Sequence, residues 1–525
     1  MGDGRDSRRS GGASSHAGAP PEHGITPGDL ALALALFAGV VAYLWRLPRF
    51  LGGDEGYFLF AAKRLLAGEV FYRDVFDLIT PGAHYLMAGL FALFGTDMAT
   101  ARGADAVVHG AIVVTVYALC RMLGVGRGVA AGAALLHPAF FQSAWQCASP
   151  HWIATLIALL VCAALLADGR RAPVLAGMLT GLLIAVQQQK GFVFVVGVPV
   201  ILLAEEPWAR HDAKCGGVRR VIGFLAGLGL VVVPVGTLLV VRAGLEPVAN
   251  ALIVHPLVNY RRFNRAPWGA THAFPSYTFP GLLGYLPVLA ALTGLRALTA
   301  GRAANDRRRK SIVLTLFALV SLASIAYYPD YIHLAFVGSV FAVLLADLVQ
   351  WALERLGGRV RLVVASLLLA AAGAQMGRVL VRSQHDFPVA HASPFGTVSF
   401  HTEAEAAVYD RVWAHVQATG SPEMFVYPWG GGPHLLTGTS NPTRYQLLVN
   451  GYSSADQLRE VIETLERRQV PLALLLTPPV PDDPVIEYLL RHYRAIEEDG
   501  RPLPLMRRLP AGAEAPEDGP GGGAP

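Results

Sequence analysis

Apolar runs broken by short polar loops dominate the first three quarters of the chain. Eleven runs are long enough, or nearly so, to cross a bilayer: 30–47, 104–120, 128–145, 150–167, 173–187, 191–204, 220–242, 280–297, 311–327, 332–350 and 361–380. A further run, 81–95 (PGAHYLMAGLFALFG), is short. Residues 1–28 show no apolar periodicity until their end and are rich in Gly, Ser, Arg and Pro, which predicts a disordered tail. No small-residue cleavage site follows 30–47, so that run reads as an uncleaved first span rather than a leader.

Beyond residue 380 the pattern changes. EAEAAVYDRVWAHVQ (403–417) has helical spacing, EMFVYP (423–428) reads as a strand, and SADQLREVIETLERR (454–468) is amphipathic with Ser454 as its cap. LALLLT (472–477) predicts a strand, PVIEYLLRHY (484–493) a helix and LPLMRRL (503–509) a last strand. This alternation predicts a small α/β domain over 381–510, followed by a disordered tail at 511–525. The fold class expected is therefore a polytopic α-helical membrane protein of about 11–13 transmembrane helices over 29–380, with a small C-terminal α/β domain.

Composition agrees. Of 525 residues, 53% are hydrophobic and only 15% charged, with a mean hydropathy of +0.43. A soluble domain carries about a quarter charged residues, so a single soluble globule, a disordered chain and a fibrous repeat are all excluded. The net charge is 43 − 38 = +5. In a soluble protein that excess would hint at nucleic acid, but here the basic residues lie between apolar runs and set orientation instead. RMLGVGR (121–127), DGRR (168–171), EEPWARHDAKCGGVRR (205–220), RALTAGRAANDRRRK (296–310) and ERLGGRVR (354–361) all fall on the cytoplasmic side, with the N-terminus, only if 81–95 does not cross. That predicts eleven spans, a cytoplasmic N-terminus and an outer face carrying 48–103, 146–150, 187–190, 243–279, 328–331 and the C-terminal domain. The four cysteines, Cys120, Cys147, Cys162 and Cys215, have neither disulfide nor zinc spacing and read as small buried hydrophobes.

Chemistry concentrates in the first outer loop, GGDEGYFLFAAKRLLAGEVFYRDVFDLITPGAHYL (52–86). Helical apolar spacing from Glu55 to Leu66 predicts an interfacial helix with Asp54 and Glu55 at its start. A helix N-terminus favours negative charge, so simple capping is one of two evenly weighted readings of that pair. A carboxylate there is also placed to take a proton from an attacking hydroxyl.

An acidic pair after the first span, then Tyr, an interfacial helix, Tyr-x-Asp and a Pro-Gly turn into a second apolar stretch resembles the GT-C glycosyltransferases. More narrowly it resembles the branch holding the protein O-mannosyltransferases and bacterial aminoarabinose transferases (glycosyltransferase families 39 and 83). AVQQQKGFVF (185–194), YYPDYIHLAF (327–336) and FVYPWGGGPHLLTGTSNPTRY (425–445) are similar to later segments of that branch, so the resemblance covers most of the chain. It implies transfer of a sugar, with inversion, from a polyprenyl-phosphate donor to a hydroxyl of a glycan, lipid or protein at the outer face of the cell envelope. It implies Asp54 as general base, with Glu55 beside it to orient the acceptor or share the work. No metal is implied, and no metal-ligand motif is present beyond the carboxylates of the first loop; membrane lipids are the other expected partner and nucleic acid is not one.

A phosphate leaving group needs preorganised cations. The outer-face candidates are Lys63, Arg64, Arg73, Arg102, Lys190 and the cluster Arg261, Arg262, Arg265 in VNYRRFNRAPWG. A few outer cations otherwise bind lipid headgroups. Lys190 stands out, because a cation between two short apolar runs is costly and tends to mark function. His333 is a candidate phosphate or sugar contact, against a structural role at a helix end; His255 and His272 lie on or near the same face. Tyr57, with Asp74 and Asp77, is a candidate sugar or acceptor contact. The plainer readings are interfacial anchoring for Tyr57, Tyr72 and Tyr260, and local hydrogen bonds or an Arg73 pair for the two aspartates. WGGGPH (429–434) lacks the Lys-Ser/Thr ending of a phosphate loop and reads as a turn after a strand.

Two other classes compete. A lipid-linked-sugar flippase or transporter fits the helices and intramembrane cations, but not the acid-rich first loop, the outer domain or the absence of repeating halves. A non-catalytic GT-C-like protein does not need the intact Asp54–Glu55 pair. A surface-polysaccharide polymerase or ligase would use a large late loop, and 243–279 is modest for that.

Overall fold

The computed structural model describes residues 26–167, 169–204, 216–260, 265–272, 276–299, 305–449, 451–498 and 501–510. Residues 1–25 and 511–525 of the expected tails, Cys215, Arg261 and Arg262 lie outside these, while 26–28, expected in the first tail, cap and open the first helix. Each of the eleven expected spans falls on helix. In chain order these are α1 (Pro27–Trp45), α4 (Met98–Met122), α5 (Arg127–Leu136), α6 (Pro150–Leu166), α7 (Ala172–Val186), α8 (Gln188–Ala204), α9 (Gly217–Ala243), α11 and α12 (Pro280–Leu283 and Leu286–Thr299), α13 (Asn305–Ala323), α14 (Tyr331–Leu353) and α15 (Gly358–Asp386). Among the described residues, six are long and apolar enough to cross a membrane by themselves: α1, α4, α9, the α11–α12 pair, α14 and α15. A π-helical turn at His137–Phe141 and a 3-10 turn at Gln142–Ala144 continue α5. Shorter pieces, α10 (Leu245–Ala249) and π-helical turns through Tyr260, follow α9.

The short run 81–95 is helix α3 (Gly82–Phe94), 13 residues long. At 1.5 Å per residue it reaches about 20 Å, short of a ~30 Å hydrocarbon core. It packs against α2 (Gly53–Leu66), the helix that carries the acidic pair. The helix expected at the interface is enclosed by protein on more than one side. Phe58, Leu59, Phe60, Ala61, Ala62 and Leu65 are all buried, because α3 covers one side of α2 and the C-terminal domain covers another.

Close backbone contact fixes both ends of this arrangement. Within the bundle, α7 and α9 touch through Gly177 and Gly227; a Cβ on Gly177 would sit 2.0 Å from Phe224 O. Small residues of this kind let apolar helices approach where no hydrophobic effect separates them from lipid. In the C-terminal domain, the short helix α17 (Gly431–Thr437) rests on α2 in the same way. A Cβ on Gly56 would lie 2.6 Å from Gly432 N, and one on Gly431 2.4 Å from Gly56 C. The WGGG run therefore serves helix–loop contact, and His434 completes it by stacking on Phe60 at 4.7 Å.

The domain itself is a four-stranded sheet of order β3-β4-β6-β5, after a separate hairpin β1 (Val389–Ser393) and β2 (Gly396–Phe400). β3 (Phe425–Tyr427) and β4 (Leu472–Leu475) are parallel; β6 (Arg501–Arg508) pairs antiparallel with β4 and with β5 (Tyr493–Glu498). Helices α16 (Glu403–Thr419), α18 (Ala455–Arg468) and α19 (Pro484–His492) accompany it. Ser454 caps α18 in a reciprocal capping box with Gln457, and Leu458, Val461 and Leu465 face the core. The hairpin bonds to the bundle through Ser399 N–H to Arg49 O at 3.1 Å and Met98 N–H to Phe395 O at 2.9 Å.

The opposite end of the bundle holds buried, fully paired carboxylates. Asp29 accepts from Arg121 Nε at 2.9 Å, Arg127 Nε at 3.0 Å and Tyr117 Oη at 2.9 Å. Asp347 accepts from Ser311 at 3.1 Å, from Arg307 at 3.4 Å and, closer still, from Arg296. Three of the basic loops predicted from sequence, 121–127, 296–310 and 354–361, supply or adjoin these two clusters.

Candidate active site

The acidic pair opens α2 after an extended Gly52, so both side chains project from the first turn, where free N–H groups favour negative charge. They then part. Glu55 is 0% exposed; its Oε2 accepts from Arg102 Nη2 at 3.0 Å and its Oε1 from Ala148 N–H at 2.8 Å. Burial pushes its carboxyl up to about 7, with Arg102 pulling the other way. Arg102 also donates to Phe50 O at 2.6 Å and to Gln146 O. Glu55 and Arg102 thus tie α2 and α4 to the loop at 146–148, and both are buried in doing so.

Asp54 is accessible, yet protein surrounds it. That enclosure raises its carboxyl above the ordinary 3.8, and the charges that act on it are His333, which lowers it, and Asp330, which raises it. Asp330 caps α14 and accepts His333 N–H at 2.8 Å and His333 Nδ1 at 2.7 Å, while its other oxygen lies 2.8 Å from His272 Nε2. The His333 ring meets His151 edge-on at 5.1 Å, and His151 stacks on Phe336 at 4.3 Å.

Lys190 enters from another side. It stands in the first turn of α8, 3% exposed, with its Nζ 5.1 Å from the centre of the Phe336 ring. That ammonium has no hydrogen-bond partner among the described residues. It heads a narrow crevice with Thr155, Phe194, Ser321, Ser324 and Phe336. The QQQK break is held in place by the first loop. Thr80 N–H donates to Gln188 Oε1 at 2.9 Å, Thr80 Oγ1 to Ile184 O at 2.5 Å, and Gln188 Nε2 to Leu78 O at 2.6 Å. Gln187, the single extended residue between α7 and α8, brings its Nε2 to 2.9 Å from His151 Nε2.

The remaining candidates lie elsewhere. Arg64 is buried and donates to Asp74 O at 2.7 Å and Glu69 Oε2 at 2.8 Å, so it holds the loop after α2. Arg73 is exposed and pairs with Asp74 at 2.8 Å, while Asp74 also accepts Val70 N–H at 2.8 Å. Lys63 is half-buried at the far end of α2, about 13 Å along the axis from Asp54. Arg265 is exposed. Asp77 is buried behind Tyr57, whose hydroxyl donates to Phe76 O at 3.2 Å; burial pushes Asp77 up to about 7. His255 is sandwiched edge-on between Phe76 at 5.1 Å and Tyr452 at 5.0 Å. Of the candidates, then, Lys190 and His333 meet around His151, and Asp54 lies within electrostatic reach of His333. Among the described residues no group of three His, Cys, Asp or Glu is placed to hold a metal ion.

Sequence reasoning passed over His151, Gln187, Asp330 and Tyr452. His151 and Gln187 were findable as polar side chains at the ends of apolar runs. Asp330 was visible as a cap three residues before His333. Tyr452 comes from the other domain and carried no signal. An apolar cavity of about 460 Å³ lies between Phe50, Leu51, Trp145 and the C-terminal domain, but Asp54 does not line it.

No family model matches the chain, and no curated protein matches it. Solved structures do. It superposes on ArnT from Cupriavidus metallidurans, solved bound to undecaprenyl phosphate, with a TM-score of 0.58 and 16% identity, covering 92% of this chain and 98% of that one. A second likeness, to the arabinofuranosyltransferase AftD from Mycobacteria, has a TM-score of 0.49 and 14% identity, covering 89% of this chain and 37% of the larger protein. At this identity the likeness to ArnT is one of fold: a polytopic helical bundle followed by a small C-terminal sheet.

Proposed function

We propose that the protein is an integral-membrane glycosyltransferase that moves a sugar from a polyprenyl-phosphate donor to a hydroxyl on a glycan, lipid or protein. The reading rests on one observation: a buried ammonium, Lys190, with no hydrogen-bond partner among the described residues, adjoins the ring cluster of Phe336, His151 and His333, and the accessible carboxylate of Asp54 lies within electrostatic reach of His333. The N-terminus is cytoplasmic in this reading, and the site and C-terminal domain face outward.

Asp54 removes the proton of the acceptor hydroxyl as that oxygen attacks the anomeric carbon, and the sugar–phosphate bond breaks with inversion. Its raised proton affinity makes it a stronger base than a solvated aspartate. Lys190 meets the charge that develops on the leaving phosphate, and its enclosed position makes that contact stronger than it is in water. The isoprenoid chain runs between helices along the crevice below Lys190. Glu55 and Arg102 position the first turn of α2 and touch no substrate.

The test gives the purified full-length protein a panel of radiolabelled polyprenyl-phosphate sugars, with membrane extract as acceptor. Label moving to a product supports the class and names the sugar. No transfer from any donor by intact protein contradicts it and directs attention to lipid translocation. Labelling a cysteine placed near residue 100 from outside, but not from the cytoplasm, supports the orientation.

A further inference from the structure

The cavity of about 460 Å³ between the bundle and the C-terminal domain takes no part in the chemistry above. It lies where α1 and α15, two of the helices long and apolar enough to cross a membrane, end against that domain. Phe50, just past α1, stacks on Phe387, which follows α15, at 4.3 Å, and Phe387 stacks on His401 at 4.1 Å. Trp145 and Cys147 supply the bundle wall, while Val412 of α16 and Leu474 of β4 supply the domain wall; all four are buried. Glu405, His401 and Pro504 are the exposed residues of the lining and mark its mouth. The cavity is thus mainly apolar, of a size that takes an organic ligand, and set at the ends of two spans, where lipid is the neighbour. Apolar space of this size left empty forfeits contacts along its walls, and apolar cavities take up apolar guests rather than water. One side chain breaks the pattern. Gln146 lines the cavity at 3% exposure, and neither its Oε1 nor its Nε2 has a hydrogen-bond partner among the described residues. A buried amide without partners is costly, so the occupant brings it a polar group as well as a hydrocarbon chain. Among the described residues no lysine or arginine belongs to the lining, whereas Glu405 stands at the mouth, which favours an amine-bearing headgroup over an anionic one.

We propose that this cavity binds one acyl chain of a zwitterionic, amine-headed phospholipid of the bilayer. The ester carbonyl accepts from Gln146 Nε2, and the headgroup stays at the mouth beside Glu405. The site is separate from the crevice under Lys190, with which it shares no lining residue. The bound chain fastens the C-terminal domain to the bundle. It also backs the loop at 145–148, where Gln146 O accepts from Arg102 and Ala148 N–H donates to Glu55. The proposal does not depend on the assignment of Asp54 as base, and loss or retention of transfer in Asp54→Asn leaves it untouched.

The test uses the full chain in detergent and, as probe, phosphatidylethanolamine with a photoreactive diazirine on one acyl chain. Light should attach the probe to the peptides that hold Trp145, Cys147, Val412 or Leu474. The phosphatidylglycerol analogue should label them about fivefold less, the worth of one exposed ion pair. Labelling confined to the lipid-facing sides of the spanning helices overturns the site, and equal labelling by both probes overturns the headgroup assignment. Val412→Trp and the milder Val408→Phe fill the cavity. Whichever melts like the native chain should lose the label at Trp145 and Cys147 and keep it on the helix faces; undiminished label there overturns the proposal. Gln146→Leu keeps the backbone carbonyl that serves Arg102 and should lower the yield about fivefold, as the loss of one hydrogen bond does. An unchanged yield removes the polar contact. Displacement of the probe by unlabelled phosphatidylethanolamine supports the proposal, whereas displacement by polyprenyl phosphate at the same concentration would make the cavity part of the donor site and overturn its separateness.

Discussion

The two ends of the helical bundle treat buried charge in opposite ways. At the end bearing the basic loops, Asp29 and Asp347 each have two arginines and a hydroxyl within reach, and every oxygen is answered. At the other end, Lys190 is as deeply buried but, among the described residues, meets the face of Phe336 and no hydrogen-bond partner, and Asp54 stands open within electrostatic reach of His333. The contrast recurs across one turn of α2, where Glu55 is paired and closed while its neighbour Asp54 is neither. Satisfied charges hold helices together. A buried ionic group kept without a partner penalises folding, so its persistence argues for a use.

That difference can be broken experimentally. The largest effect on folding should come from Asp347→Asn, which leaves the buried Arg296 without its counter-charge, while Arg307 keeps Glu354. About 3–5 kcal/mol of stability should be lost, read as a lowered melting temperature in detergent; an unchanged value would deny the cluster its structural role. Lys190→Met should do the reverse. Its melting temperature should hold or rise, while donor affinity falls about tenfold or more; undiminished donor binding would remove Lys190 from the phosphate site. Arg73→Ala, on an exposed pair, should change stability by less than about 1 kcal/mol and leave transfer intact. A large loss of activity there would return Arg73 to the list of donor contacts.

Acidity sharpens the comparison further. Asp54 must be ionised to act, and its enclosure raises it above 3.8. The acid limb of kcat should therefore lie above that value, with activity gained as pH rises through it. Stability should run the other way. Glu55 and Asp77 are both raised, to about 7, above their unfolded values of 4.5 and 3.8. The folded state binds more protons between those values, so the stability these two groups contribute is full below about pH 4 and declines as pH rises through 7. A melting temperature that climbs steadily from pH 5 to 8 would contradict this.

Much of the architecture was legible because apolar runs and basic loops are read directly from one dimension. Each expected span lies on helix, and the helices at 403–417 and 454–468 and the strands near 425 and 472 appear where their periodicity put them. The hairpin 389–400 and strand β5 were missed. The first lies in a polar stretch without strong alternation, and the second continues what reads as the end of a helix. The site was legible in type but not in pairing. Asp54 and Glu55 look equivalent in sequence, and only the third dimension closes one against Arg102 and leaves the other open. The cations of the first loop were overcounted for the same reason: Arg64 and Arg102 are spoken for by backbone carbonyls and carboxylates that spacing cannot reveal. Gly56 and the WGGG run show the converse, since two glycine-rich segments far apart in sequence meet backbone to backbone.

The central claim is that Asp54, and not its neighbour, performs the chemistry. It is tested most directly by measuring sugar transfer from a radiolabelled polyprenyl-phosphate donor by the native chain, Asp54→Asn and Glu55→Gln, each checked for melting temperature. The account predicts that Asp54→Asn melts like the native chain and loses transfer by 100-fold or more, roughly the contribution of a general base, while Glu55→Gln loses stability first and activity only with it. Near-normal turnover by Asp54→Asn, or loss of transfer in a Glu55→Gln variant that melts normally, would contradict it.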